Sequence, residues 1–484
     1  MWQEEQFLFK VVPEYSHYLT FLFLGLFAFY LMRRSAETLR SVEAMSLTVI
    51  LYICRPWEVL PPDETWLSVP RWCIWIWAFL WLNDVEKKRL SLTNCLKFSA
   101  GIKLSLIMGG WCLFTTLFSG DPEFSRQYFI DTLFRGLVLA ILMHLSVQAV
   151  ASTQRLEWAF VVGVTALIFH SLWHYHGLDM PDALSLISER SALAERRLTA
   201  VGSLGNSNDI AAVALIPMGF AVPLLFSRRS HLLVRVSAGV VFLYLIQAVL
   251  AAQSRGALMA VSAQMILYFI SQSKRSLKWS FLPALGIALA AIMASSLMGR
   301  KADDLDASTE SRMNYYVTGL RMALYSPIWG QGFGRYPYEF EKYTTVILHE
   351  WGLRTAHSSW ILVLSETGLV GLLLFASIHV RIWKICWSLR RDRPSLLLSF
   401  VGYSLATLFL SHAWLMFPWV LFAIIDLNGK CSIDASLPPR EVNNDSGRED
   451  TSLDCPQSPV AGALRCELRQ HSTDGSLERC GLDN

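Results

Sequence analysis

The sequence predicts an all-α fold, a polytopic transmembrane helical bundle of about twelve or thirteen spans with one large loop held outside the bilayer. Three observations carry that prediction. Hydrophobic residues make up 53% of the 484 and charged residues only 17%, with a mean hydropathy of +0.37. The apolar residues are gathered into runs of about 18–23, each long enough to cross roughly 30 Å of hydrocarbon. Lys and Arg recur in alternate connections, which is how cytoplasmic loops differ from outward ones in multispanning proteins.

In chain order the apolar runs place spans near 17–32, 44–60, 67–83, 98–118, 132–151, 158–176, 210–226, 236–253, 257–272, 279–298, 358–380, 394–411 and 413–427. The second is interrupted by Arg55, Pro56 and the Pro61-Pro62 pair, and Trp57, Trp66, Trp72, Trp75 and Trp81 crowd its end and the third, as amphipathic rings do at headgroup level. Arg33, Arg34 and Arg40, then Lys87, Lys88 and Arg89, Arg155, Arg228, Arg229 and Arg235, Lys274, Arg275 and Lys278, and finally Arg381, Lys384, Arg390, Arg391 and Arg393 mark the cytoplasmic side. The loops 177–209 and 300–357 then face outward. No cleaved signal peptide is expected ahead of the first span. The reading divides the chain into N-terminal spans (1–157), a transmembrane core with the large outward loop (158–427), and a cytoplasmic tail (428–484). The tail is rich in Ser, Asp, Glu, Arg and Pro and is expected to be disordered, because it has too little apolar surface to offset its ordering entropy. The nine cysteines show neither a CxxC pair nor a Cys/His cluster, so neither a disulfide framework nor a metal site is indicated.

Candidate functional residues lie in the outward loops. The first group is the pair Arg196-Arg197, followed by a Gly/Asn/Ser turn through Asn206, Asn208 and Asp209 that opens the seventh span. Exposed N–H groups at a helix start with a guanidinium nearby suit an anion, and a plain helix cap explains the Asn206–Asp209 turn equally well. The second is Ser254-Arg255-Gly256, a lone arginine in a very short outward hairpin where the positive-inside bias disfavours it. The third is the long loop, with Arg312, Arg321, the glycines of Gly330–Gly334, and His357 at the head of the next span, followed by Glu366. Single interfacial arginines ordinarily snorkel or meet lipid phosphate, and a lone His at a membrane boundary is ordinarily structural. The glycines have no preceding strand and no following Lys-Ser/Thr, which sets a nucleotide loop aside.

As an ordered set, Arg197 with its Gly-x-x-Gly-Asn-x-Asn turn, Ser254-Arg255-Gly256, Ser311-Arg312, Arg321, Pro327-x-x-Gly330-x-Gly332-x-Gly334, and His357-Ser-Ser-Trp with Glu366-x-Gly368-x-x-Gly371 resemble the O-antigen ligase and Wzy-type polymerase superfamily over about residues 190–380. The resemblance implies a C-type glycosyltransferase of the bacterial inner membrane, active at the periplasmic face. Its implied partners are an undecaprenyl diphosphate-linked glycan donor, a lipid, glycan or protein acceptor and membrane lipid, with no nucleic acid and no cofactor. Arg197 and Arg255 are then expected to clamp the diphosphate, with Arg312, Arg321, Arg196 and Asn208 assisting. Guanidinium groups stay charged and grip phosphate oxygens bidentately, which replaces the divalent metal common in cytosolic enzymes. The nearest acidic group is Asp303, Asp304 and Asp306, a solvated loop start rather than a metal site. His357 is expected to be the general base, and direct displacement would invert the anomeric centre. Glu366 is expected to orient a partner or bind sugar hydroxyls, or else to be buried against an arginine. The stretch Arg55–Pro61 faintly resembles O-glycosylation ligases found with exosortase systems. A ligase and a polymerase differ here only in acceptor. A flippase or permease is the alternative of another class, although no internal repeat supports it.

Overall fold

The computed structural model describes residues 40–54, 69–87, 90, 92–147, 150–175, 198, 204, 206–227, 230–272, 302–345 and 354–436. Every element among them is helical: α1 (Arg40–Cys54), α2 (Val69–Glu86), α3 (Ala100–Phe118, its last turn tightened), α4 (Pro122–Ser146), α5 (Val150–Tyr175), α6 (Ser207–Phe226), α7 (Leu232–Ala251), α8 (Arg255–Gln272), α9 (Ala302–Tyr325), α10 (Tyr336–Tyr343), α11 (Ser359–Ser388), α12 (Pro394–Thr407) and α13 (Met416–Ser436). Five of these, α3, α4, α6, α7 and α11, are long and apolar enough to cross a membrane. The protein is a polytopic helical membrane protein. The expected spans at 17–32 and 279–298, and the chain beyond Ser436, lie outside the described residues.

At the centre is α6, buried almost continuously from Ile210 to Val222 and packed on by α5, α7, α8 and α12. A helix that is apolar all round belongs inside a bundle, and in lipid its neighbours are held by close packing rather than by hydrophobic transfer. Gly219 shows the closeness, since a Cβ there would lie 2.4 Å from the Ser399 amide nitrogen on α12. Two side chains join α6 to its neighbours. Ser399 donates to the Ile216 carbonyl (2.8 Å), and Gln264 on α8 donates to the carbonyls of Leu215 (2.7 Å) and Leu398 (2.9 Å).

One end of the bundle is tied by charge. Arg393 meets Glu157 at 2.8 Å, Asn428 donates to the same carboxylate (2.8 Å) and accepts from Thr153 (3.0 Å), and Arg381 pairs with Asp426 (2.8 Å). Arg155 pairs with Glu43. Arg155, Arg381 and Arg393, read from sequence as topology markers, thus also neutralise buried carboxylates. Removing one member of such a pair leaves an uncompensated charge and costs about 3–5 kcal/mol.

Three boundaries differ from expectation. The helix begun at 132 starts instead at Pro122, capped by the Asp121 carboxylate on the Phe124 amide (3.1 Å), and contains one wide turn at Ile130–Phe134. Helix α5 runs unbroken through the expected domain boundary at 157. Helix α13 continues past the expected boundary at 428 to Ser436, and Asn428 is buried in the charge lock.

Candidate active site

The opposite end gathers the starts of α6, α8 and α11, the end of α12 and the turn before α13. Its frame is a broken helix. Within α11, Gly368 has φ +68° and ψ −169°, a conformation open only to glycine, and a Cβ there would lie 2.2 Å from the Ile328 carbonyl oxygen. The break releases backbone groups that must find partners elsewhere. The loop after α9 supplies them: Gln331 N–H donates to Ser365 O (2.9 Å), Gly332 N–H to Glu366 O (3.1 Å), and Leu369 N–H to Pro327 O (2.8 Å). The Trp111 indole donates to Thr367 O (2.9 Å). Gly330, at φ +72°, is the matching partner, since a Cβ there would meet the Glu366 carbonyl at 2.5 Å.

Glu366 completes this joint. Its carboxylate, only 1% exposed, accepts from the amides of Gly334 (3.0 Å) and Tyr336 (2.9 Å) and from the Trp414 indole (2.7 Å). Every one of these contacts lies inside the protein, with backbone and indole rather than with an arginine or an open cleft. The glycines that suggested a nucleotide loop are instead the surface on which this joint closes.

His357 stands just before α11, half-buried, in a left-handed backbone conformation with φ +48°. Its ring stacks on Tyr315 (5.1 Å, 28° between planes), and the Tyr316 hydroxyl donates to its carbonyl at 3.2 Å. Burial, then the nearby Arg312, and also Arg354, lower its pKa to about 4, while Asp209 opposes them. The imidazole is therefore neutral near pH 7 with a free lone pair, the state that a base needs. Burial also raises the Tyr316 phenol, which Arg312 partly offsets.

The structure brings together His357, Arg312 and Asp209, and adds Arg354, which the sequence reading passed over. Arg321 lies farther along α9 and donates to the Tyr343 carbonyl (3.3 Å). Arg255 opens α8 after a turn in which Gln253 has φ +51°. Among the described residues its buried Nε and the Gln253 Oε1 have no hydrogen-bond partner. Asn206 caps α6, accepting the Asn208 amide at 2.9 Å, so the cap expected of that turn is present. Arg196, Arg197 and the side chains of Asp303, Asp304 and Asp306 lie outside the described residues; Leu198, next to Arg197, is tied by its amide to Ala251 (2.9 Å) beside the Arg255 turn.

Three further side chains were missed. His412, 1% exposed, approaches Asp209 Oδ1 to 3.0 Å through Nε2, and its Nδ1 is 3.0 Å from the Tyr403 hydroxyl. Trp414 holds Glu366. Each sits in or beside an apolar span, where composition gives no sign of it.

Fold and site together define a multi-pass helical membrane protein with a half-buried histidine, arginines and strained turns assembled at one end. Residues 240–376 match the O-antigen ligase family model, Wzy_C, so that segment of the chain is similar to the O-antigen ligase and Wzy superfamily of ligase- and polymerase-type enzymes. The matched segment holds Arg255, Arg312, Arg321, His357 and Glu366 and leaves out Arg196, Arg197 and Asn208. No curated protein matches the chain.

Proposed function

We propose that the protein transfers a glycan from an undecaprenyl diphosphate carrier to an acceptor hydroxyl at the periplasmic face of a bacterial inner membrane, with inversion and without a divalent metal. The observation that best supports this is the neutral His357 beside Arg312, on the same end of the bundle as Arg255 with its unpartnered Nε. The acceptor hydroxyl gives its proton to a ring nitrogen of His357 as its oxygen attacks the anomeric carbon. The anomeric C–O bond breaks, and its electron pair leaves on the diphosphate, which Arg255, Arg312 and Arg197 stabilise in a water-poor setting. Bound diphosphate also offsets the charge of Arg312, so donor binding raises the basicity of a histidine that Arg312 otherwise suppresses. Arg196, Arg321 and Asn208 assist in donor binding, and Glu366 acts through the joint it holds rather than by touching sugar. A ligase reading and a polymerase reading share all of this and differ in acceptor.

The test uses native-cell membranes lacking the endogenous gene, supplied with each variant and carrying their own lipid-linked glycan as donor, assayed in excess EDTA. Arg255→Lys keeps one charge but loses the planar fork, and transfer is expected to fall by about a hundredfold or more. His357→Ala is expected to lose about a hundred- to ten-thousandfold. Wild-type rates for both would favour a lipid-linked solute transporter, and activity lost to EDTA and restored by magnesium would move attention to Asp303, Asp304 and Asp306.

A further inference from the structure

The groups facing the His357 imidazole are unequal in charge. Arg312 and Arg354 are cationic, the Tyr315 ring stacked on it is neutral, and Asp209 in the first turn of α6 is the one anion among the described groups that act on it; Tyr316 meets the His357 backbone carbonyl instead. A base flanked by guanidinium groups gains a proton during the reaction, so it needs a fixed negative charge that stays ionised while the imidazolium exists.

Asp209 does not reach this place by helix geometry alone. His412 approaches its carboxylate to 3.0 Å, within ion-pair range though not aligned as a hydrogen bond, so the contact is electrostatic. The other ring nitrogen of His412, Nδ1, lies 3.0 Å from the Tyr403 hydroxyl, and the tautomer that accepts from Tyr403 carries its proton on the Nε2 that faces Asp209. The His412 backbone is fixed as well. Its amide donates to Ser359 Oγ (2.9 Å), which in turn donates to Leu410 O (2.7 Å), and Ser359 lies two residues from His357. One short segment therefore anchors both the base and the residue that holds Asp209.

We propose that Asp209 is the counter-ion of the imidazole base, and that His412, oriented by Tyr403 and pinned at Ser359, is the positioning residue that keeps it there. The inference rests on the glycosyl-transfer reading and assigns it two residues. In the reaction the proton moves from the acceptor hydroxyl to His357 and no farther; Asp209 remains a carboxylate throughout.

A charge that works only through His357 has no effect once His357 is gone. In the same membranes, with their own lipid-linked glycan as donor, Asp209→Asn should slow transfer by about ten- to a hundredfold in the otherwise native protein, less than loss of the base itself. In the His357→Ala background it should slow the residual rate by less than about twofold. Asp209→Glu should recover part of the loss. Equal slowing in both backgrounds would place Asp209 on the donor or in folding and overturn the proposal, as would an unimpaired Asp209→Asn protein. If His357→Ala itself runs at the native rate, the base reading fails and this inference with it; a slow His357→Ala beside a fully active Asp209→Asn sinks the inference alone. Should Asp209→Asn not accumulate, Tyr403→Phe, which removes a single hydroxyl at the far end of the chain of contacts, is read in the same two backgrounds with a severalfold loss expected only where His357 is present.

Discussion

At the scale of single residues, the site depends on environments more than on residue types. His357 is an ordinary histidine whose burial and cationic neighbours bring its pKa down to about 4. An imidazole with the usual value near 6.5 would be only about 3% neutral at pH 5. His357 stays mostly neutral there, so transfer at low donor concentration should hold nearly constant from pH 7 to pH 5 and fall only below that. A rate that drops by about 25-fold over the same range would show that the imidazole titrates normally. The stability effect has the same sign: the folded state refuses a proton that the unfolded chain accepts below about pH 6.5, so His357 withdraws stability as pH falls from there toward 4. His357 and Arg255 were legible in the sequence because a lone basic residue at the end of an apolar run stands out. Asp209 was visible only as part of a cap. His412 and Tyr403 were not visible at all, since a polar residue buried in a span acquires meaning only from a partner far away in the chain.

At the scale of elements, the break in α11 decides where the loop can close. Gly368→Ala adds a Cβ 2.2 Å from a carbonyl oxygen and forces a backbone conformation that costs at least about 1–3 kcal/mol for any other residue. A marked drop in thermal stability of the detergent-extracted protein is expected, with less of it eluting as a single species; an unchanged melting temperature would mean that the loop does not depend on the break. From sequence, Gly368 is part of the Glu366-x-Gly368-x-x-Gly371 motif, but its place in a Leu- and Val-rich run gives no sign of a break. The early start of α4 was legible in principle. Asp121-Pro122 is a cap followed by the residue type best suited to a first turn, but the polar residues after it hid the helix from a search for apolar runs. Continuous apolar composition made α6 and α7 plain, but it could not tell the buried helix from the lipid-facing one. That difference comes from small residues such as Gly219, which set how near the neighbours approach.

At the scale of the whole molecule, the two ends have different work. One is a lock of buried carboxylates with Arg155, Arg381 and Arg393, and the other holds His357 and Arg255. If the alternation of charge sets orientation, the second end faces outward. Glu310, exposed on α9, offers a place to ask. Glu310→Cys should react with a membrane-impermeant thiol reagent in intact spheroplasts; protection until the membrane is breached would put the site on the cytoplasmic face.

The wide turn at Ile130–Phe134 carries a further consequence. Before it, Tyr128 and Phe129 pack on Phe333 in the glycine loop; after it, Gly136 meets Trp419 on α13, where a Cβ would come within 3.2 Å of the indole side chain. A regular helix advances by about 100° per residue, so deleting one residue here would swing one of these two faces by about that angle while the other stayed put. What the chain must keep at this point is residue count more than residue identity. Single-residue deletions between 130 and 134 should therefore be far less tolerated than substitutions at the same positions, because the stretch acts as a spacer that sets the phase between the glycine loop and the rest of the bundle.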